Sequence, residues 1–283
     1  MDINSALIKG YDKLKSENIE TYQLDAQLLL SHVLNESKLY LMMNRNKEIS
    51  KEVEEKFFSL IDERKKKRPM AYILNKVEFM GLDFYVREGV LIPRPDTEIL
   101  VEECIEIINK KKYINVCDMC CGSGAIGISV AMFVKDTNVW SFDISDEAIA
   151  TTEINVKDMK LNNRVKVKKS DLFHEAIKQK LKFQMIISNP PYIEENIIPT
   201  LMEDVRDYEP HLALSGGIDG LEFYRKISCE SKKILKEQGY LCFEIGHNQE
   251  DAVIEIMNSN GFIDVYCLRD LSDNPRVVIG RLP

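Results

Sequence analysis

The sequence predicts an α/β fold, an open and mostly parallel sheet with helices on both faces, preceded by a small helical domain. Three observations carry this. From Tyr113 onward, short β-rich runs alternate with helical segments, as in parallel strands joined by helices. Up to Arg68 the apolar residues recur at helical spacing and no run reads as a strand. Between the two, residues 72–92 change to near-alternation, the period of paired strands. A length of 283 residues admits one large domain or one medium and one small. The expected division is a helical domain over 1–75, a β-hairpin connector over 76–92 and the sheet domain over 93–283.

In the first part Leu7, Tyr11 and Leu14, then Leu24, Leu28 and Leu29, then Val53, Phe57, Leu60 and Ile61 mark three or four short helices, with Thr21 as a candidate N-cap. Val77, Phe79, Met80, Leu82, Phe84 and Val86 predict the hairpin, broken at Met80-Gly81. Pro93 and Pro95 stiffen its exit, and Asp96-Thr97-Glu98 opens a helix through about Asn109. The expected strands are Tyr113–Cys117, Val139–Phe142, Val165–Val167, Met185–Ser188, Tyr240–Glu244, Ile263–Leu268 and Val277–Gly280. Helices fit Ala125–Val134, Asp146–Met159, Leu221–Glu237 and Asn248–Asn260. No helix separates the last two strands, so an antiparallel partner is expected at the sheet edge.

Composition narrows the function. A hydrophobic content of 45% supports a real core. Lys plus Arg total 38 against 46 Asp plus Glu, a net charge of −8 that lies wholly within 93–283, because residues 1–92 carry 15 charges of each sign. Such a chain is a poor candidate for gripping bare duplex DNA, where phosphate neutralisation supplies most of the affinity. The basic run Arg64–Arg68 reads as a solvated helix end, with contact to an acidic or RNA-bound partner as its alternative. Seven cysteines, an odd number scattered through apolar runs, read as reduced thiols in a cytoplasmic protein. No signal peptide or membrane span is expected. Cys117-x-x-Cys120 has no second pair at metal spacing, so no metal site is expected.

Three segments carry chemistry. The first strand runs into Asp118-Met119-Cys120-Cys121-Gly122-Ser123-Gly124, where glycines let a ligand approach the backbone and the next helix offers free N–H groups. Asp143, at the end of the second strand, is placed to accept both hydroxyls of an adenosine ribose. Gly122-x-Gly124-x-x-Gly127 would equally satisfy a nicotinamide-cofactor fingerprint. The second segment, Asn189-Pro190-Pro191-Tyr192 after an apolar strand, separates these. Its prolines make a rigid loop rich in acceptors, so the Asn189 side-chain oxygen and the Pro190 carbonyl can each take a hydrogen from a planar –NH2 group, on which Tyr192 can stack. The third, Leu91-Ile92-Pro93-Arg94-Pro95, holds Arg94 between two prolines as a cation near the cleft or as part of a plain connector.

Taken together these segments resemble the release-factor glutamine methyltransferases, the PrmC/HemK family, over nearly the full length. The resemblance runs through residues 25–30, 68–73, 91–98, the glycine loop at 118–124, Ser170–Phe173, Ser188–Ile193, 204–210, 216–221 and the ending at 276–281. It implies a class I methyltransferase fold (Rossmann-like, seven-stranded) using S-adenosyl-L-methionine, with S-adenosyl-L-homocysteine as product. It also implies methylation of the side-chain amide of the glutamine in the Gly-Gly-Gln motif of peptide chain release factors. A monomer is expected. The family's cofactor loop falls on Asp118 and Cys120 to Gly124, its ribose acid on Asp143 and its third-strand acid on Asp171, followed by Leu172, which is expected beside the adenine. Its substrate tetrad is Asn189, Pro190, Pro191 and Tyr192, with Asn189 also beside the cofactor, Arg94 nearby, and the helical domain helping to hold the release factor. One departure stands out: the family usually has glycine where this chain has Cys120, at a cost of about 1 kcal/mol if the position needs positive φ.

Three other functions compete. A nucleic-acid amino-methyltransferase faces the same –NH2 geometry but fits poorly with the −8 charge. A nicotinamide-dependent oxidoreductase leaves Asn189–Tyr192 unexplained. A non-catalytic binder of translation factors would have lost its activity through Cys120.

Overall fold

The computed structural model describes residues 1–283 and resolves into two compact units. The first comprises Met1–Lys76 with Met202–Tyr208, the second Val77–Leu201 with Glu209–Pro283. Residues 202–208, expected in the sheet domain, thus cluster with the helical unit, and the 76–92 connector clusters with the sheet from Val77 onward.

The Met1–Lys76 part of the first unit holds five helices: α1 (Ile3–Lys15), α2 (Tyr22–Leu34), α3 (Lys38–Met43), α4 (Lys51–Lys65) and α5 (Met70–Leu74). Asp2, Ser37 and Ser50 cap α1, α3 and α4 by accepting from backbone N–H groups of their first turns. Thr21 stands at the N-cap of α2 without capping it. Its hydroxyl instead donates to Asp25 at 2.9 Å, and Asp25 also accepts from Arg64 at 2.8 Å in a buried pair joining α2 to α4. Around that pair Leu7, Leu14, Leu29, Leu30, Phe57 and Ile61 form the core.

The second unit opens with the hairpin β1 (Val77–Phe79) and β2 (Leu82–Phe84). Its two-residue turn, Met80 (φ 53°) and Gly81 (φ 68°), has positive φ at both central positions, the turn whose twist suits a tight hairpin. Next come α6 (Thr97–Lys111), β3 (Asn115–Met119), α7 (Ala125–Phe133), β4 (Asn138–Asp143), α8 (Asp146–Asp158), β5 (Val165–Lys169), α9 (His174–Lys178) and β6 (Phe183–Ser188). A 3-10 turn over Ile198–Thr200 precedes α10 (Glu203–Tyr208), the helix that clusters with the first unit. The chain ends with α11 (His211–Leu214), α12 (Glu222–Ser231), β7 (Leu235–Glu244), α13 (Glu250–Ser259), β8 (Ile263–Arg269) and β9 (Pro275–Arg281).

The seven strands form one sheet in the order β5-β4-β3-β6-β7-β9-β8. β5 to β7 run parallel, and β9 lies antiparallel between β7 and the edge strand β8. Both faces are buried: Val116, Val139, Met185 and Ile187 belong to one apolar cluster, and Cys117, Phe142, Ile186 and Phe243 to the other. The helix expected over Leu221–Glu237 stops at Ser231. Ile234 and Leu235 are buried, and Leu235 already pairs with Phe183 as the start of β7, so packing overrides the helical period there. The first parallel strand lies two residues later than expected, at Asn115–Met119, and so reaches the loop directly. β3 has β4 on one side and β6 on the other, and the crevice beyond such a switch in strand order is where ligands enter a fold of this kind.

Candidate active site

Beyond β3 the chain turns sharply at three positions with left-handed backbone: Cys120 (φ 60°), Gly122 (φ 55°) and Gly124 (φ 80°). At Gly124 a Cβ would lie 2.7 Å from Thr152 Cγ2, so glycine is required by space as well as by φ. Cys120 takes the same region with a side chain, at a cost of about 1 kcal/mol or more. Its thiol packs into the apolar cluster, and burial pushes its pKa far above the usual thiol value, against a hydrogen bond with Ser188. Burial therefore disfavours the thiolate of Cys120, the form in which a cysteine acts as a nucleophile.

Asp143, the last residue of β4, is tied to this loop. Gly122 N–H donates to its Oδ2 at 2.9 Å and Ser145 N–H to its Oδ1 at 2.9 Å. Burial raises its pKa while these hydrogen bonds hold it down. Each carboxylate oxygen keeps a further lone-pair site, so a pair of adjacent hydroxyls can still be accepted. Asp118 lies differently. It is fully buried in β3, its Oδ2 accepts from Gly127 N–H at 3.0 Å, and its Oδ1 has no partner. Desolvation raises its pKa to about 7. Gly127, read as the third glycine of a fingerprint, is the residue whose missing Cβ lets α7 sit on Asp118.

A cavity of about 240 Å³ opens at this end of the sheet. Of the residues singled out from sequence, Arg94, Cys120, Cys121, Gly122, Ser123, Asp143, Asp171, Leu172, Asn189 and Pro191 line it. Asp118, Gly124, Pro190 and Tyr192 do not line it. Thr97, Ile144 and Phe223 line it without having been singled out. Ile144, Leu172 and Phe223 are apolar and partly exposed, suited to the faces of a flat ring. Ile144 and Phe223 had no sequence signal beyond hydrophobicity, whereas Thr97 sits within the quoted Asp96-Thr97-Glu98 cluster.

The other wall is Asn189–Tyr192. The Ser188 hydroxyl donates to Met119 O at 2.8 Å, tying the ends of β6 and β3. Asn189 Nδ2 donates to Thr97 Oγ1 at 3.4 Å, which leaves Oδ1 as the free acceptor of that amide. Pro190 and Pro191 are buried and Tyr192 is half-buried, its phenol pKa raised by burial. The segment 214–217 runs alongside, with Ile193 N–H donating to Leu214 O and Gly216 N–H to Ile193 O. Gln249 locks the two: its Nε2 donates to Tyr192 O at 2.9 Å and to Gly220 O at 3.2 Å. Arg94 is not a free cation, since its Nη2 pairs with Oε1 of buried Glu209.

Comparison with known proteins bears on this geometry. Residues 5–74 match the model of the PrmC N-terminal domain, and residues 96–212 that of the methyltransferase small domain. The chain is 49% identical to the release factor glutamine methyltransferase of Clostridium botulinum, over 99% of each chain. To its namesake from Clostridium acetobutylicum it is 48% identical, over 99% of this chain and 98% of the other. The chain belongs to the release factor glutamine methyltransferase family. The fold of the family member described here is also that of the 16S rRNA methyltransferase RsmC of T. thermophilus, solved in complex with AdoMet and guanosine. That structure aligns with a TM-score of 0.53 at 14% identity, over 74% of this chain and 50% of that one. Within the family chain, the glycine loop, Asp143 and Asn189 share one cavity.

Proposed function

We propose that this protein transfers a methyl group from S-adenosyl-L-methionine to the side-chain amide nitrogen of the glutamine in the Gly-Gly-Gln motif of peptide chain release factors. The observation that carries this is the meeting, in one cavity, of a ribose-type acid, Asp143, and the side-chain amide of Asn189. Asp143 stands beside the glycine turn, Asn189 is tied through its nitrogen to Thr97, and Asn189 Oδ1 is left to accept. Near-full-length identity with relatives of that name supports the same substrate.

The donor fits the cavity. Asp143 would take the ribose hydroxyls, Ile144, Leu172 and Phe223 the adenine, and the turn residues Cys120–Ser123 the amino-acid end. When bound, S-adenosylmethionine supplies an electrophilic methyl group on a sulfonium. The chain's own residues hold the acceptor. Asn189 Oδ1 and the Pro190 carbonyl each accept one hydrogen of the substrate –NH2, and Tyr192 supports the planar amide. An amide nitrogen is a poor nucleophile because its lone pair is delocalised. Two fixed acceptors favour a more pyramidal nitrogen and aim it in line, which is positioning with electrostatic help. The proton leaves to water after transfer, and no strong base stands in the tetrad. The helical unit is read as the part that helps to hold the release factor, in a cytoplasmic monomer. No helix is long and apolar enough to cross a membrane.

Labelled S-adenosylmethionine incubated with a purified release factor, and with the same factor carrying alanine in place of the motif glutamine, tests this reading. Label on the first alone is expected, and equal label on both would refute it. A nucleic-acid amine as substrate is disfavoured by the −8 net charge and would appear as label on RNA or DNA.

A further inference from the structure

Glu244, the last residue of β7, is a carboxyl only 3% exposed, and its Oε2 has no hydrogen-bond partner. Ser188 pairs with Phe243 across β6 and β7, so the next residues along, Asn189 and Glu244, lie side by side at the strand ends. Thr97, the first residue of α6, completes the group through its hydrogen bond with Asn189 Nδ2. The backbone of Glu244 is fixed as well, since the buried Tyr224 hydroxyl donates to its carbonyl at 2.9 Å.

We propose that Glu244 is a positioning residue for methyl transfer: with Thr97 it holds the nitrogen end of the Asn189 amide inward, so that Oδ1 faces the substrate amide. This deepens the reading of Asn189 given above and rests on it. A buried carboxylate beside an amide takes N–H donors and repels a carbonyl oxygen, so it selects one of the two orientations of the Asn189 side chain. It also draws the amide's positive end toward itself, leaving more negative charge on Oδ1, the atom that must accept from the substrate. A protonated Glu244 loses this preference, because its O–H can donate to the asparagine oxygen instead.

The groups that face Glu244 set its titration. Burial raises its pKa most and Asp96, the residue before α6, raises it further, while hydrogen bonding by Thr97 and Asn189 and the charge of Arg276 of β9 lower it; Tyr192 and Tyr224 face it as phenols. Arg276 is itself shared between Asp96 and Asp270, each at 2.9 Å, so it does not neutralise Glu244 alone. Desolvation dominates and places the carboxyl at about 7.

The test is the pH profile of kcat for methyl transfer to a release factor by the full chain, wild type against Glu244→Gln. The wild type is expected to show an acid limb near pH 7, with kcat rising as pH rises. Glu244→Gln should lower the plateau roughly 10- to 100-fold and remove that limb, with KM and the Kd for S-adenosylmethionine within about threefold of wild type. Thr97→Val should lower kcat in the same sense and Thr97→Ser should restore it, a comparison that stands even if Glu244→Gln fails to fold. A wild-type kcat flat from pH 6 to 8, or an unchanged limb in Glu244→Gln, or equal kcat in both Thr97 variants, overturns the role. Absence of any label with wild type would overturn the activity reading and this role together. Label with wild type and a kcat unaltered by Glu244→Gln would overturn this role alone.

Discussion

The Gln249 side-chain amide donates to the Tyr192 carbonyl at 2.9 Å, and its oxygen accepts from Gly246 N–H at 2.9 Å and faces the Tyr224 hydroxyl at 3.3 Å. One buried residue therefore ties the end of the Asn189–Tyr192 loop to the turn after β7 and, through Gly220 O, to the 216–220 loop. Gln249→Ala strips partners from several buried groups, at about 1–3 kcal/mol for each group left unsatisfied. Urea denaturation should show a loss of roughly 2 kcal/mol or more, and kcat should fall further than cofactor affinity. Unchanged stability would show that the lock carries no weight.

Asp143→Ala removes both the proposed ribose contacts and the acceptor of Gly122 N–H. Calorimetry with S-adenosylmethionine should give a Kd raised by roughly 10- to 100-fold, from the loss of charged-group hydrogen bonds worth about 1.5–3 kcal/mol. A Kd within twofold would remove Asp143 from the cofactor site.

Cys120→Gly relieves a left-handed residue of its side chain. Because the thiol also packs in the apolar cluster, the two effects oppose. The strain side should win or balance, giving a change in unfolding free energy between zero and about +1 kcal/mol, with methyl transfer retained. Cys120→Val puts a β-branched residue at the same φ and should destabilise by about 1–3 kcal/mol. If the glycine variant is the less stable of these two, the backbone argument fails.

Asp118 and Glu244 are both raised to about 7 by burial, from ordinary values of 3.8 and 4.5. Between those values and about 7 the folded chain holds protons that the unfolded chain has released. Stability from these groups is therefore greatest at low pH, falls as pH rises through that window and is level above it, a change on the order of a few kcal/mol. Urea midpoints measured from pH 5 to 8 should show this decline beneath the contributions of other groups, and Asp118→Asn should make it shallower. An identical slope in Asp118→Asn would count against a protonated Asp118.

Much of the fold is legible in the sequence because its signals are local. The strand runs, the Met80-Gly81 turn and the glycines after β3 each declare themselves within a few residues. Glu244 and Gln249 do not. A glutamate ending an apolar strand and a glutamine at the start of a helix carry no local signal of a buried partner. Their roles arise from β6 and β7 lying side by side, a pairing that joins residues far apart in the chain. Arg94 illustrates the converse. Its two prolines mark a fixed cation, but nothing nearby in sequence announces that Glu209 matches its charge. Asp118 belongs to the cofactor motif by spacing, yet its carboxylate supports α7 from beneath the loop.

Tandem mass spectrometry of a release factor after incubation with this protein and S-adenosylmethionine tests the central claim most directly. The account predicts one methyl group on the side-chain nitrogen of the Gly-Gly-Gln glutamine, absent when the enzyme carries Asn189→Ala although that variant still binds the cofactor. A methyl group at another residue, or full modification by the Asn189→Ala variant, would contradict it.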